Sequence, residues 1–340
     1  MKKRTVVAAT VIVAVLALAV AKAQSVAPAL NPPPTDLSGV QLAPEQTRLP
    51  STSALAPALE AGRFTFNLIG FGRVGYYADT TASGRPLLLV VSVNAAASAY
   101  EMKPLFDAYR GKRPVYVLEW PGFGGSDRLN VVYTPQLMAS AFSRMLDIIG
   151  GETDVVALSL GSEFAARVAL TEPRVRSLAL ISPTGLSEAK TPAELAAEPQ
   201  KSQRLYGTLS SPVVSWAVFG LLSTPQVIDL FLRRSFEGPV DPGLLAYSSQ
   251  SVVQPGAVYA PLYFISGLLR TPDAYSDLYT RLTQPTLVLY DRDGYVNFTR
   301  LPELLQANPN VKAVKIAPTK GLPQFEQLGQ VTAALDAFWK

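Results

Sequence analysis

The chain is 340 residues long, 48% hydrophobic and 16% charged, a balance that suits one large globular domain, or a core domain carrying a small insertion, and excludes a disordered or polyelectrolyte protein. Its net charge of +4 is accounted for by Lys2, Lys3, Arg4 and Lys22; the rest of the chain sets 26 basic against 26 acidic residues, so nucleic-acid binding has no electrostatic support. Cysteine and histidine are both absent, which rules out disulfides and the thiolate or imidazole ligands of most transition-metal sites, and no pattern signals a cofactor or a carboxylate-only metal site.

The basic head at residues 2–4 precedes an apolar run from Thr5 to Ala21 that ends in the small-x-small triplet Ala21-Lys22-Ala23. This is the pattern of a secretory signal cleaved before Gln24, which makes residues 1–23 a signal peptide. The same run is just long enough to stay uncleaved as a membrane tether through residues 5–21. Either way the domain is exported, into the periplasm, outside the cell or held at the membrane. Residues 24–57 are rich in Pro, Ala, Ser and Thr, include Pro32-Pro33-Pro34, and read as a semi-extended linker to a domain over 58–340.

From Gly62 the texture changes. Arg63–Ile69 and Arg73–Ala78 read as a hairpin around Gly70 and Gly72. The apolar run Pro86–Val93, the helical spacing of Tyr100–Arg110 and the strand Pro114–Glu119 make a parallel βαβ unit. Pro135–Ile149 is a helix with Met138, Phe142, Met145 and Ile148 on one side; Asp154–Leu158 is a strand, Ser162–Leu170 a helix and Val175–Ile181 the next strand. This alternation predicts an α/β fold with a mostly parallel, doubly wound sheet. Over about 187–281 the rhythm breaks into apolar helical stretches, Val213–Leu222 and Val227–Leu232 among them, the second opened by Thr224-Pro225. This segment is expected to be an inserted helical cap. Strands resume at Pro285–Tyr290 and Val311–Ile316, and a helix over Leu328–Trp339 closes the chain.

Ala157-Leu158-Ser159-Leu160-Gly161 lies between a buried strand and a helix, and its small residues are what a serine on a crowded strand-to-helix turn requires. Alone, such a pentapeptide is equally a plain helix cap; the strand and helix around it give it weight. Together with Val91-Ser92-Val93-Asn94 before the first helix and Pro121-Gly122-Phe123-Gly124-Gly125-Ser126 after the second parallel strand, it makes the chain resemble the α/β-hydrolase superfamily, bacterial esterase-like members in particular, over about residues 62–340. The resemblance implies an α/β-hydrolase fold, Ser159 at the nucleophile position, and oxyanion donors at the backbone of Leu160 and of Val93 or Asn94. It places the acid in Tyr290-Asp291-Arg292-Asp293-Gly294, nearest Gly294, with Asp293 or Asp291 as the available carboxylate; each is also readable as a turn-stabilising Asp. Gly321-Leu322-Pro323-Gln324-Phe325-Glu326 resembles the family's histidine loop, with Gln324 where the histidine belongs.

A glutamine cannot take up a proton at neutral pH, and the base of such a site must accept the serine proton and return it to the leaving group. The resemblance and this substitution together imply an acyl or ester hydrolase relative that is impaired or inactive and binds a small apolar or acyl-bearing ligand, with no cofactor. Two alternatives stand beside it. One is a working ester or lipid hydrolase with another base, Lys320 being the nearest amine, although a loop lysine is more often a solvated charge. The other is an envelope-tethered interaction protein that docks through its cap, which an exposed apolar patch there would favour. Tyr206, Trp216, Phe219, Phe231 and Phe236 either line a pocket above Ser159 or form the cap's own core.

Overall fold

Uninterrupted runs of Leu, Val and Ala suit strands covered on both faces, and the sheet puts them at its centre. The computed structural model describes residues 55–340; the segment 5–21 and the linker up to 54 lie outside the described residues. Eight strands, β1 (Gly62–Leu68), β2 (Gly72–Asp79), β3 (Leu87–Val90), β4 (Val115–Leu118), β5 (Thr153–Leu158), β6 (Val175–Ile181), β7 (Thr286–Arg292) and β8 (Val311–Lys320), form one sheet in the order β1-β2-β4-β3-β5-β6-β7-β8. β1 and β2 are an antiparallel hairpin whose second strand runs antiparallel to β4, and from β4 to β8 every neighbouring pair is parallel. The central strands β3 and β5 are buried along their whole length.

The strand order decides where a site can form. From β3 the chain moves outward to β4, and from β5 it moves outward to β6 on the other side, so the direction of winding reverses between the neighbours β3 and β5. Loops leaving the carboxyl ends of two such strands part and leave a crevice between them. Ser159 follows β5, and Val91–Asn94 follows β3.

Around the sheet lie α1 (Lys103–Tyr109, preceded by a 3₁₀ turn at Ala99–Met102), α2 (Pro135–Ile149) and α3 (Gly161–Ala169). α2 starts where Thr134 accepts a hydrogen bond from Leu137 N–H at 3.1 Å and stops at Gly150, which adopts a left-handed φ of 76°. Its buried face is Met138, Ala141, Phe142, Met145 and Leu146; Ile148, expected on that face, packs only at its margin.

The cap spans β6 to β7 as α4 (Pro192–Leu209), α5 (Pro212–Leu222), α6 (Pro225–Leu232), α7 (Pro242–Ser251), α8 (Tyr259–Ile265) and α9 (Ala274–Asp277). Each of the first four has proline at its opening, where the missing N–H is no loss. Thr224 does cap α6, but its hydroxyl donates to Leu221 C=O instead of capping the helix amides. α10 (Leu301–Ala307), α11 (Pro323–Glu326) and α12 (Leu328–Phe338) complete the chain.

The linker boundary moves. Leu55, Ala58 and Leu59 are buried in the common core, and the Arg63 guanidinium donates to Leu55 C=O at 3.0 Å. Residues 55–57 therefore belong to the folded unit and not to the linker expected to end at 57.

Candidate active site

Strand β5 ends in Leu158 and α3 begins at Gly161, so the chain must reverse within two residues. Ser159 does this with φ at 52°, in the left-handed region that side chains other than glycine rarely occupy. Its N–H donates to Ile181 C=O at 2.9 Å and its C=O accepts from Ser162 N–H at 3.0 Å, which holds the strained turn between β6 and α3. The side chain is half-buried, so its hydroxyl keeps some access. Gly161 is small by necessity: a Cβ there would stand 2.4 Å from Val91 C=O. Replacing Ser159 by glycine is expected to raise the unfolding free energy by about 1 kcal/mol, the strain being relieved; urea midpoints of the two proteins test this.

Against that turn lies the loop Val91–Asn94, held by one buried carboxylate. Glu101 accepts from Ser92 N–H at 2.8 Å, from the Ser92 hydroxyl at 2.9 Å and from Asn94 Nδ2 at 2.6 Å. The Asn94 carbonyl oxygen accepts from Ala96 N–H at 2.7 Å, and Trp120 Nε1 donates to Val91 C=O at 2.9 Å. The Asn94 side chain is thus spent inside the loop. The backbone amides of Val93, Asn94 and Leu160 take no part in the bonds that fasten these two turns, which leaves them free for an oxyanion.

Two further buried glutamates repeat the device. Glu119 accepts from Ala99 N–H at 3.0 Å and Gly125 N–H at 2.6 Å, fastening the loop after β4. Glu163 accepts from Thr271 N–H at 2.7 Å and from the Thr184 hydroxyl, joining α3 to the loop after β6 and to the cap. Burial pushes all three carboxyls above the usual range, and the N–H and O–H donors oppose it. A folded-state value raised above the unfolded one means the native protein holds the proton longer, so stability is greatest in mild acid and falls as pH rises through the raised values. Asp79, Glu172, Glu188, Glu194 and Glu303 are shifted the other way by their partners; Glu188, Glu194 and Glu303 are solvent-exposed and screened, while the half-buried Asp79 and Glu172 take back part of the effect. The urea midpoint is therefore expected to be higher at about pH 5 than at about pH 7, with the difference reduced in Glu163→Gln; a lower midpoint at the acid end would contradict this.

The two acid candidates separate in space. Asp291 accepts from Thr319 N–H at 2.9 Å and pairs with Lys315 Nζ at 3.5 Å, so it stitches β7 to β8. Asp293 accepts from Tyr295 N–H at 2.6 Å and Val296 N–H at 3.2 Å through one oxygen, while the other lies 2.9 Å from where a Cβ on Gly321 would stand. Asp293 thus faces the loop that leads to Gln324, and it also stabilises its own turn. Burial raises its carboxyl above the ordinary range, partly offset by the two amides and by the charges of Lys320 and Arg234. Gly294, where the family alignment pointed, is pressed against the cap, with Arg234 C=O 2.2 Å from where its Cβ would be.

Gln324 sits in α11 and is fully buried. Its Nε2 donates to Glu101 C=O at 3.1 Å, and its Oε1 has no hydrogen-bond partner among the described residues. Glu101 therefore touches both halves of the site, its carboxylate on the Ser92–Asn94 loop and its carbonyl on Gln324. The residues around Gln324 tie the loop to the cap. Phe325 packs on Phe236 with ring centroids 5.8 Å apart, and Glu326 accepts from Glu237, Gly238 and Lys320 N–H groups at 2.6, 3.0 and 2.8 Å. Lys320, expected in an exposed loop, ends strand β8 and is half-buried, its charge felt by Asp293. Of the cap aromatics, Tyr206 donates to the Tyr263 hydroxyl at 2.8 Å and serves the cap's own packing, while Phe236 is buried in the common core, where it joins the cap to the Gln324 loop through Phe325. Phe219 and Phe231 are half-buried, and the Trp216 side chain lies outside the described residues.

A serine forced into a left-handed turn after a central parallel strand, with unspent amides beside it and a helical insertion above, is the site architecture of the α/β hydrolases. The chain belongs to that family: residues 87–334 match the family model described as alpha/beta hydrolase family. No curated protein matches the sequence significantly. Among solved structures, a thermophilic esterase from Thermogutta terrifontis is similar at TM-score 0.63 and 20% identity, over 82% of this chain and 98% of that one. A membrane phospholipase A described as a bacterial virulence factor is similar at TM-score 0.63 and 19% identity, over 82% and 86%. The enol-lactonase from Burkholderia xenovorans LB400 is similar at TM-score 0.62 and 16% identity, over 81% and 99%. At these identities the likeness is one of fold.

Proposed function

We propose that this protein is an exported α/β-hydrolase relative that binds a small apolar or acyl-bearing ligand over Ser159 and turns it over feebly or not at all. The observation that carries this reading is Gln324, buried in the loop after the last strand, with its amide N–H engaged by Glu101 C=O and no basic nitrogen to offer. Without a base the Ser159 proton has nowhere to go, and attack on a carbonyl stalls. The rest of the site supports binding. The amides of Leu160 and of Val93 or Asn94 suit a carbonyl or carboxylate oxygen, and the strained turn that presents Ser159 is retained. An esterase, a phospholipase A and an enol-lactonase among the fold neighbours favour an acyl or ester ligand over other classes. On this reading Ser159 and Gln324 are ligand contacts, Asp293 fills the acid position, and Asp291 is structural.

The test is calorimetric titration with decanoate, a simple acyl chain bearing an anionic head. One saturable site in wild type, lost when Ser159→Trp fills the turn with an indole, is the expected result. Heat that does not saturate, or binding unchanged in Ser159→Trp, would refute it.

A further inference from the structure

A helix on the surface of a protein normally turns charged or polar residues to water. α5 does the reverse. Val213, Ala217 and Leu221 recur at every fourth position on one face and are all exposed, Val213 at 78% and Leu221 at 39%. Leu205, near the end of α4, adds to the same uncharged stretch at 37% exposure. No charged residue occurs between Arg204 and Asp229. This face is made to be covered by something other than the described part of the chain.

Three observations say by what. The first is where the described chain begins: Tyr247 of the cap helix α7 donates its hydroxyl to Ala56 C=O at 2.8 Å, so the start of the fold lies beside the cap. The second is the content of the sequence before it. Its apolar run from Thr5 to Ala21 is separated from the first described residue by the 33 residues 22–54, which fully extended span at most about 115 Å, so a domain tethered by that run stays within that reach of a bilayer. The third is charge. Over 201–234 the chain has Lys201, Arg204, Arg233 and Arg234 against Asp229 alone. Arg233 pairs with Asp229 at 2.7 Å, while Lys201 and Arg204 are exposed and make no ion pair among the described residues. Basic residues beside an apolar helix face suit anionic headgroups beside acyl chains.

We propose that α5 is an interfacial helix that lies in the headgroup region of an anionic phospholipid bilayer, with Val213, Ala217 and Leu221 turned into the acyl boundary. The geometry favours lying on the surface over crossing it. Among the described residues no single helix is long and apolar enough to span, and α4 and α5 are bent by 81° at their junction. An α5 of 11 residues rises only about 16 Å against a hydrocarbon core of about 30 Å. The proposal rests on the tether reading of residues 5–21 and deepens the proposed function, since it makes the membrane the source of acyl ligands.

The absence of cysteine allows a direct test on the full chain. Val213→Cys carries an environment-sensitive fluorophore, and Ser83→Cys, in the exposed loop before β3 at the opposite end of the strands, carries it in a control protein. Both are mixed with vesicles of phosphatidylcholine and phosphatidylglycerol, with and without a nitroxide-labelled lipid. The expected result is a blue shift and severalfold brighter emission at position 213, quenched by the nitroxide and reduced by Leu221→Glu, with no change at position 83. Flotation of the Ser83→Cys protein with the vesicles while position 213 stays unchanged would leave the tether intact and overturn the interfacial helix. Failure of both proteins to float, with no shift at 213, would overturn both. A probe at 213 already blue-shifted in the absence of lipid would show the face covered by the chain's own apolar run or by a second copy, and would overturn the proposal equally.

Discussion

Gln324→His is expected to raise hydrolysis of a short-chain activated ester by about a hundredfold or more over wild type. On the proposed reading the other parts of the site are present: the serine in its left-handed turn, amides at Leu160 and at Val93 or Asn94 that fasten neither turn, and a carboxyl, Asp293, against Gly321 in the loop that leads to position 324. A single missing proton acceptor then blocks the rate, because serine attack and departure of the alcohol both pass through it. The gained activity should disappear in Gln324→His with Ser159→Ala, and fall with Asp293→Ala by less. It should also switch on as pH rises through roughly 6.5, the ordinary range of an imidazole, a dependence the parent chain lacks because it contains no histidine. Activity in Gln324→His that survives Ser159→Ala would show that the restored base acts elsewhere, and the site would have to be redrawn.

Glu101→Ala is expected to lower the unfolding free energy by about 3 kcal/mol and to abolish decanoate binding. Truncation leaves the buried Ser92 N–H and hydroxyl and the half-buried Asn94 Nδ2 without their common acceptor. It also frees the loop whose amides are proposed to hold the ligand's oxygen. Glu101→Gln keeps one acceptor oxygen and the side-chain volume, and should lose about 1 kcal/mol with weakened binding. If Glu101→Ala were as stable as wild type, the carboxylate would be a passenger in the core and the clamp would be wrong. If only stability fell and binding stayed, the loop would be held well enough by Trp120 Nε1 on Val91 C=O and by the bonds of the Asn94 side chain to Ser92 and Ala96.

How much of this was legible in the sequence varied with the local chemistry. α2 and β6 appear over the predicted residues, α2 because Thr134, Pro135 and Gly150 mark its ends with three separate signals and β6 because its apolar run lies between Arg176 and Ser182-Pro183. β8 runs on to Lys320, past the predicted Ile316, since an edge strand carries the polar residues and the proline that elsewhere signal a loop. α10 escaped notice because seven residues give too few turns for a period to emerge. At the site, Ser159 and Gln324 stood out because each sits in a patterned loop. The choice between Asp291 and Asp293 did not, since two carboxylates two residues apart carry the same chemistry and differ only in what they meet, Asp291 in β8 itself and Asp293 in the loop just beyond it. The glutamate clamps were missed altogether. Glu101, Glu119 and Glu163 look like ordinary solvated charges, and the one available signal was that each interrupts a stretch otherwise apolar or small, as in Leu118-Glu119-Trp120.

The site is proposed to bind its ligand and to turn it over feebly or not at all, and the most direct measurement counts turnovers by wild-type protein. Purified full-length chain is mixed with excess p-nitrophenyl butyrate, and released p-nitrophenol is followed beside Ser159→Ala, with mass spectrometry of the protein at the end. The expected result is product at most marginally faster than from Ser159→Ala, with less than about one equivalent per chain and no acyl group accumulating on Ser159. Many equivalents of product per chain, lost in Ser159→Ala, would contradict it and establish a working serine hydrolase whose base is not at position 324.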